Sequence, residues 1–214
     1  MNWNHTCAAL LLAAAIVSAG CSLSTPYPNR AIFTINPGVP QASAAATQPA
    51  NPALQNITLR ARRIIPVPPF GGTAFVYRTT PNRLETDYYN AFAASPGDLI
   101  TARLVEYLRD THLFAAVADS NAGISQQWSL EGRLQDLAVD ATDPADPKAV
   151  ITLQFVLLDE RDPAPRSLLE RTYTERVALR TNDAAGAAEG WSIACRRIFD
   201  RLAQDLSEVN SPGQ

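Results

Sequence analysis

Residues 95–98, Ser-Pro-Gly-Asp, fix where a helix begins, and that helix constrains the rest of the chain. Ser offers a side-chain oxygen to an unpaired amide, and Pro suits the first helical position. An acid three residues past the cap favours the positive helix end. From there Leu99, Ile100, Leu104, Tyr107 and Leu108 share one face, while Arg103, Glu106, Arg109 and Asp110 point away. A helix with one apolar stripe has to bury it against a second layer.

The segments around the helix supply that layer. Ile57, Leu59 and Ala61 alternate with Thr58, Arg60 and Arg62, the period of a half-buried strand. Pro66, Pro68 and Pro69 end it, because Pro cannot donate to a ladder. Gly71-Gly72 allows a turn, and Thr73–Arg78 reads as a second strand with Phe75 and Tyr77 on one face. Residues 79–94 read as irregular and aromatic. After the helix, Trp128, Leu130, Gly132 and Leu134 alternate, and the apolar parity then flips to Leu137 and Val139. A shift of one residue within a strand predicts a bulge near Gln135-Asp136. Ala149–Leu158 is apolar at nearly every position, as in a covered central strand. Leu168–Leu179 is a further strand, with Leu169, Tyr173, Val177 and Leu179 on one face. A second helix starts near Asn182-Asp183 and carries the stripe Ala187, Trp191, Ala194, Cys195, Ile198 and Leu202. The order is β-β-α-β-β-β-α. It predicts a single α+β domain over residues 57–208, a mostly antiparallel sheet with two amphipathic helices packed on one face.

The N-terminal quarter is of another kind. Ala8–Val17 is an unbroken run of Ala, Leu, Ile and Val, the length of an export-signal core and too short for a bilayer. Ser18, Ala19 and Gly20 lead into Cys21, the pattern of a bacterial lipoprotein signal. There a diacylglycerol joins the Cys thiol, and cleavage leaves that Cys first. The segment MNWNHT has no Lys or Arg, and Ser18 stands where Leu is usual. The other reading is a soluble periplasmic protein with a fortuitous Cys. Ser22, not Asp, follows the Cys, which by the sorting rule of the best-known bacteria permits transfer to the outer membrane. Residues 1–20 thus read as signal and 21–56 as an acylated Cys and a Pro/Ala-rich tether. Six of the sixteen Pro lie in the tether, a composition that cannot order itself. Its one interruption, Ala31–Ile35, reads as a short strand able to pair on a sheet edge. Residues 209–214 read as a disordered tail.

Little chemistry is available. With Cys7 in the signal and Cys21 acylated, Cys195 is left alone on an apolar stripe, a small buried hydrophobe without a disulfide partner. His112 is the sole imidazole after the signal and sits at a helix C-terminus, where a cation is favoured. One His and one Cys cannot assemble a usual transition-metal site. No G-x-S-x-G, Walker or dinucleotide fingerprint occurs, so no catalytic, cofactor-binding or metal residue is assigned. A net charge of −3 without like-charge blocks argues against nucleic acid. Arginine supplies nearly all the cations, which suits bidentate pairing with carboxylate or phosphate but also follows from genome composition. The aromatics between Pro68 and Phe92 are the main functional candidates. Core packing accounts for about half of six such rings, and the rest suit a contact surface. The candidate interface is Phe70, Phe75, Tyr77, Arg78, Tyr88, Tyr89 and Phe92.

The PxPPF segment at Pro66–Phe70, the strand Phe75–Arg78, the segment Glu85–Phe92 and the following SPGDLITARLVEYLRDTHLFAAV occur in a telling order. With Cys21, Ala31–Ile35 and the C-terminal helix, they resemble the ABC-type transport auxiliary lipoproteins, which include the paraquat-inducible protein C lipoproteins. The Ala-rich insertion after Ile35 is longer than in that family, and Tyr-Asn-Ala-Phe stands where many members have a Trp. The resemblance implies a non-enzymatic, outer-membrane accessory of intermembrane phospholipid transport. Its implied partners are a mammalian-cell-entry (MCE) domain protein, an ABC transporter and the bilayer, with homo-oligomers possible in principle. The alternative is an assembly lipoprotein of another envelope machine, one that activates a peptidoglycan synthase or supports lipopolysaccharide insertion.

Overall fold

The computed structural model of the chain describes residues 29–40, 51–123 and 125–209. Cys21, the signal and much of the tether lie outside them. The strands are β1 (Ala31–Phe33), β2 (Thr58–Ala61), β3 (Ile65–Pro66), β4 (Ala74–Thr80) and β5 (Arg83–Phe92). Helix α1 (Pro96–Asp110) follows, then β6 (Ala116–Ala118), β7 (Trp128–Asp140), β8 (Lys148–Asp159) and β9 (Arg166–Ala178), and finally α2 (Ala184–Ser207). The fold is α+β, as the sequence predicts, with one mixed, open sheet.

Strand β7 is its axis. One edge pairs antiparallel with β8, which pairs antiparallel with β9. The other edge takes β2, β3 and β4 in series, all parallel. Outside β2 lies β6, and outside β4 lie β5 and then β1. The long pairings are therefore antiparallel and the short ones parallel. A register shift between Leu134 and Asp136 places the bulge where the parity flip predicts it.

One apolar core fills the space between the sheet and the two helices. Ile151, Leu153, Phe155 and Leu157 of β8 are fully buried, and the whole predicted α2 stripe meets them at 0% exposure. Asp183 caps α2, accepting from the Gly186 amide at 2.7 Å. Cys195 is buried, and burial pushes its thiol up to about 12. Trp191 closes the core: its indole N–H is shared between the carbonyls of Ala138 and Val150 at 3.3 and 3.2 Å. Tyr107 joins the helices, donating to Asp200 of α2 and packing its ring at a tilt against Phe199.

Several expectations are corrected. The Ser95 side chain makes no capping bond, and Asp98 instead receives the Arg63 guanidinium, one contact at 3.0 Å. Thr101 and Gly97 set the helix start against Ile64, just before β3, and Pro66 within it. Thr101 accepts from the Ile64 amide at 2.9 Å, and a Cβ on Gly97 would lie 2.4 Å from the Ile64 carbonyl. Residues 79–94, read as irregular, are mostly strand β5. The stretches read as tether and tail hold core residues: Ile35 and Leu54 are buried, and so is Val209. Asn51 donates to the Ser207 and Val209 carbonyls, which ties the chain before β2 to the end of α2.

Candidate docking surface

The hairpin β4–β5 carries most of the candidate interface, and its pairing explains where each side chain goes. Ala74 pairs with Ala91, but Val76 already pairs with Thr86. Strand β5 thus accommodates extra residues between those pairs, and the surplus segment Asp87–Asn90 bulges outward. The Asp87 carboxylate holds this bulge. One oxygen accepts the backbone amides of Tyr89 and Asn90 at 2.8 and 3.0 Å, and the other accepts the Asn90 side chain at 2.8 Å. The Tyr77 hydroxyl lies near enough to the same carboxylate for each to shift the other's titration. Partial burial pushes the Asp87 carboxyl up, but the Asn90 and Tyr89 donors outweigh it, and the group sits below the ordinary Asp range. Burial, then the Asp87 charge, push the Tyr77 hydroxyl up to about 12.

The consequence is a division of the aromatics. Tyr88 is 76% exposed and Tyr89 39%, their rings edge to face at 5.1 Å. Tyr77 is half-buried on Asp87, and Arg78 is committed to both oxygens of Asp136 at 2.8–2.9 Å. Phe70, Phe75 and Phe92 are buried and so leave the candidate surface. Phe75 packs edge-on against Trp191 at 4.8 Å, and Phe92 lies 4.5 Å from Phe75. Those positions face the helices because they flank the bulge instead of lying in it. Exposed Leu84 on β5 and Ile32 on β1, which pairs with β5, add apolar surface that the sequence reading missed. Ile32 reaches this edge through the parallel β1–β5 pairing, which no local pattern announces.

His112 closes α1 at φ 52°, and its carbonyl accepts Gln55 at 2.8 Å. Among the described residues no group of three or more His, Cys, Asp or Glu is placed to hold a metal ion. No described helix is long and apolar enough to cross a membrane, which says nothing of β-barrels.

Comparison with known proteins agrees with this architecture. The model of a family described as ABC-type transport auxiliary lipoprotein component matches residues 39–206. Among curated proteins no match was found. A Xanthomonas campestris protein assigned to DUF330 has a similar crystal structure: TM-score 0.70, 21% identity, 81% of this chain and 92% of that one covered. An uncharacterized protein superposes with TM-score 0.63 at 12% identity, covering 83% of this chain and 99% of its own. A hypothetical protein of Chlamydia trachomatis reaches TM-score 0.52 at 6% identity, over 72% and 97% of the two chains. At such identities the likeness concerns the fold alone.

Proposed function

We propose that this chain, which belongs to the ABC-type transport auxiliary lipoprotein family, is a non-enzymatic accessory of an intermembrane phospholipid transport system. It is held in the outer membrane through a lipid on Cys21 and faces the periplasm. The single observation that carries this reading is the family match across residues 39–206. An MCE-domain protein and an ABC transporter are its partners, and the Tyr88–Tyr89 bulge is the docking surface. An apolar centre with Arg83, Glu85 and Asp87 around it suits such a contact.

Affinity purification from native membranes tests the partnership. MCE and ABC-transporter subunits should co-purify; a peptidoglycan synthase or the lipopolysaccharide-insertion machinery in their place would overturn the assignment. For the anchor, Cys21→Ala should move the protein to the soluble periplasmic fraction or leave it unprocessed. Processed Cys21→Ala protein still at the outer membrane counts against lipid anchoring.

A further inference from the structure

We propose that a groove on the helix-free face of the sheet binds a phosphate group carried on an apolar body, with a phospholipid headgroup as the source. The choice of source rests on the transport reading above; the phosphate chemistry does not.

The groove encloses about 720 Å³ between β2, β3, β7 and β8. Arg60, Arg62, Arg63 and Arg133 line it, against one lining carboxylate, Glu131. Sheet register builds it: Arg133 pairs with Ile65 on one side and Gln154 on the other, and Glu131 pairs with Val156. Three of the guanidiniums are held in place by the protein. Arg60 donates to the Ala122 carbonyl at 3.0 Å, Arg62 to Glu160 at 2.6 Å, and Arg63 to Asp98. Arg133 differs from them. Its side chain is exposed and makes no hydrogen bond or ion pair among the described residues. Its neighbour Gln154 is already engaged, accepting from Gln135 and donating to Glu170.

Beside this unengaged guanidinium stands Ile65, 52% exposed, with half-buried Val156 across the floor. A planar guanidinium fork matches phosphate oxygens bidentately. Of the flanking cations, Arg62 and Arg63 are balanced by Glu160 and Asp98, while Arg60, which donates to a neutral carbonyl, adds to the local potential for an anion. The exposed aliphatic chains suit an apolar remainder. Glu131, about half exposed and only loosely paired with Arg62 at 3.7 Å, is a single carboxylate that disfavours an extended acidic peptide more than one compact anionic head.

The test uses the full chain carrying Cys21→Ser, so that no attached acyl chain competes. It is titrated calorimetrically with monomeric dihexanoyl phosphatidylglycerol, dihexanoylglycerol and inorganic phosphate. The phosphatidylglycerol should bind and the phosphate-free diglyceride should not. Arg133→Ala should weaken binding roughly tenfold or more, the scale of a lost charge-assisted contact, with Arg133→Lys intermediate. Ile65→Ser should weaken the lipid but not inorganic phosphate. Equal binding of inorganic phosphate and lipid, indifferent to Ile65→Ser, would sink the lipid source. Lipid binding unchanged by Arg133→Ala, or no binding of any phosphate ligand, overturns the site. Should Arg133→Ala fail to fold, Arg133→Lys carries the same comparison, and salt-insensitive binding would then count against the site. Co-purification of the transport subunits is scored in the same variants. Lost groove binding with partners retained leaves the docking reading intact, and the converse leaves the groove.

Discussion

The aromatics of one hairpin meet two fates within a few residues. Phe75 and Phe92 are buried against Trp191, while Tyr88 and Tyr89, on the strand that carries Phe92, face solvent. Hydrophobicity alone does not separate them, since a tyrosine ring buries well when its hydroxyl finds a partner. Tyr107 and Tyr173 demonstrate this within the same molecule, donating to Asp200 and Asp205 of α2. What separates them is backbone: Asp87 collects the amides of Tyr89 and Asn90 and turns that segment out of the ladder with β4. The inner rings are thus structural, and the outer pair is presented by a device whose removal leaves the core in place.

The inner half should be the most costly to disturb. Trp191→Ala removes a fully buried indole, its two carbonyl contacts and the partner of both Phe rings. It should lower unfolding free energy by about 3–5 kcal/mol in chemical denaturation, and Phe75→Ala by a similar amount. A loss below about 1 kcal/mol in either would mean that the hairpin is not part of the same cooperative core.

The device itself comes next. Asp87→Ala frees the bulge by removing the acceptor of the Tyr89 and Asn90 amides and of the Asn90 side chain, which should cost about 1–2 kcal/mol. Because the Asp87 carboxyl sits below its unfolded value, its stabilisation is present above that value and is lost as pH falls through the folded one. Wild-type stability should therefore converge toward that of Asp87→Ala below about pH 4. Tyr77 behaves oppositely. Its hydroxyl is raised to about 12, so its contribution is whole below its unfolded pKa of about 10 and disappears as pH rises toward 12. Tyr77→Phe should flatten the alkaline limb of the stability profile; an unchanged limb would mean that the Tyr77 hydroxyl is not held in the buried position beside Asp87.

The same contrast explains what was legible in the sequence. The α2 stripe and the bulge in β7 write themselves as local periodicity and appear at the predicted residues, and α2 starts where Asn182-Asp183 predicts, with Asp183 as its cap. Strand β5 does not, because the surplus residues Asp87–Asn90 break the alternation that marks a strand. The Ser95 start marks α1 correctly, but the capping chemistry is replaced by contacts to Ile64, just before β3, that are remote in sequence. The arginine groove is illegible for a related reason. Arg60 and Arg62 look like an ordinary solvated strand face until parallel pairing brings Arg133 beside Ile65.

The smallest effect on stability is expected where the effect on association is greatest. Tyr88→Ala combined with Tyr89→Ala deletes two rings whose main mutual contact is with each other, outside the core. The Asp87 bonds to residues 89 and 90 are to backbone amides and to Asn90, so the bulge survives the double substitution. Unfolding free energy should therefore change by no more than about 0.5 kcal/mol, as for surface positions. If the bulge is a docking surface, the variant should fold normally and lose co-purification of its transport partners. Tyrosines at the centre of an interface often carry much of its energy, so the loss should be large and not graded. A folded variant that keeps its partners would remove the bulge from the docking role and leave its exposed rings unexplained. Large destabilisation would instead show that the rings pack inward in solution, and the division between inner and outer aromatics would then fail.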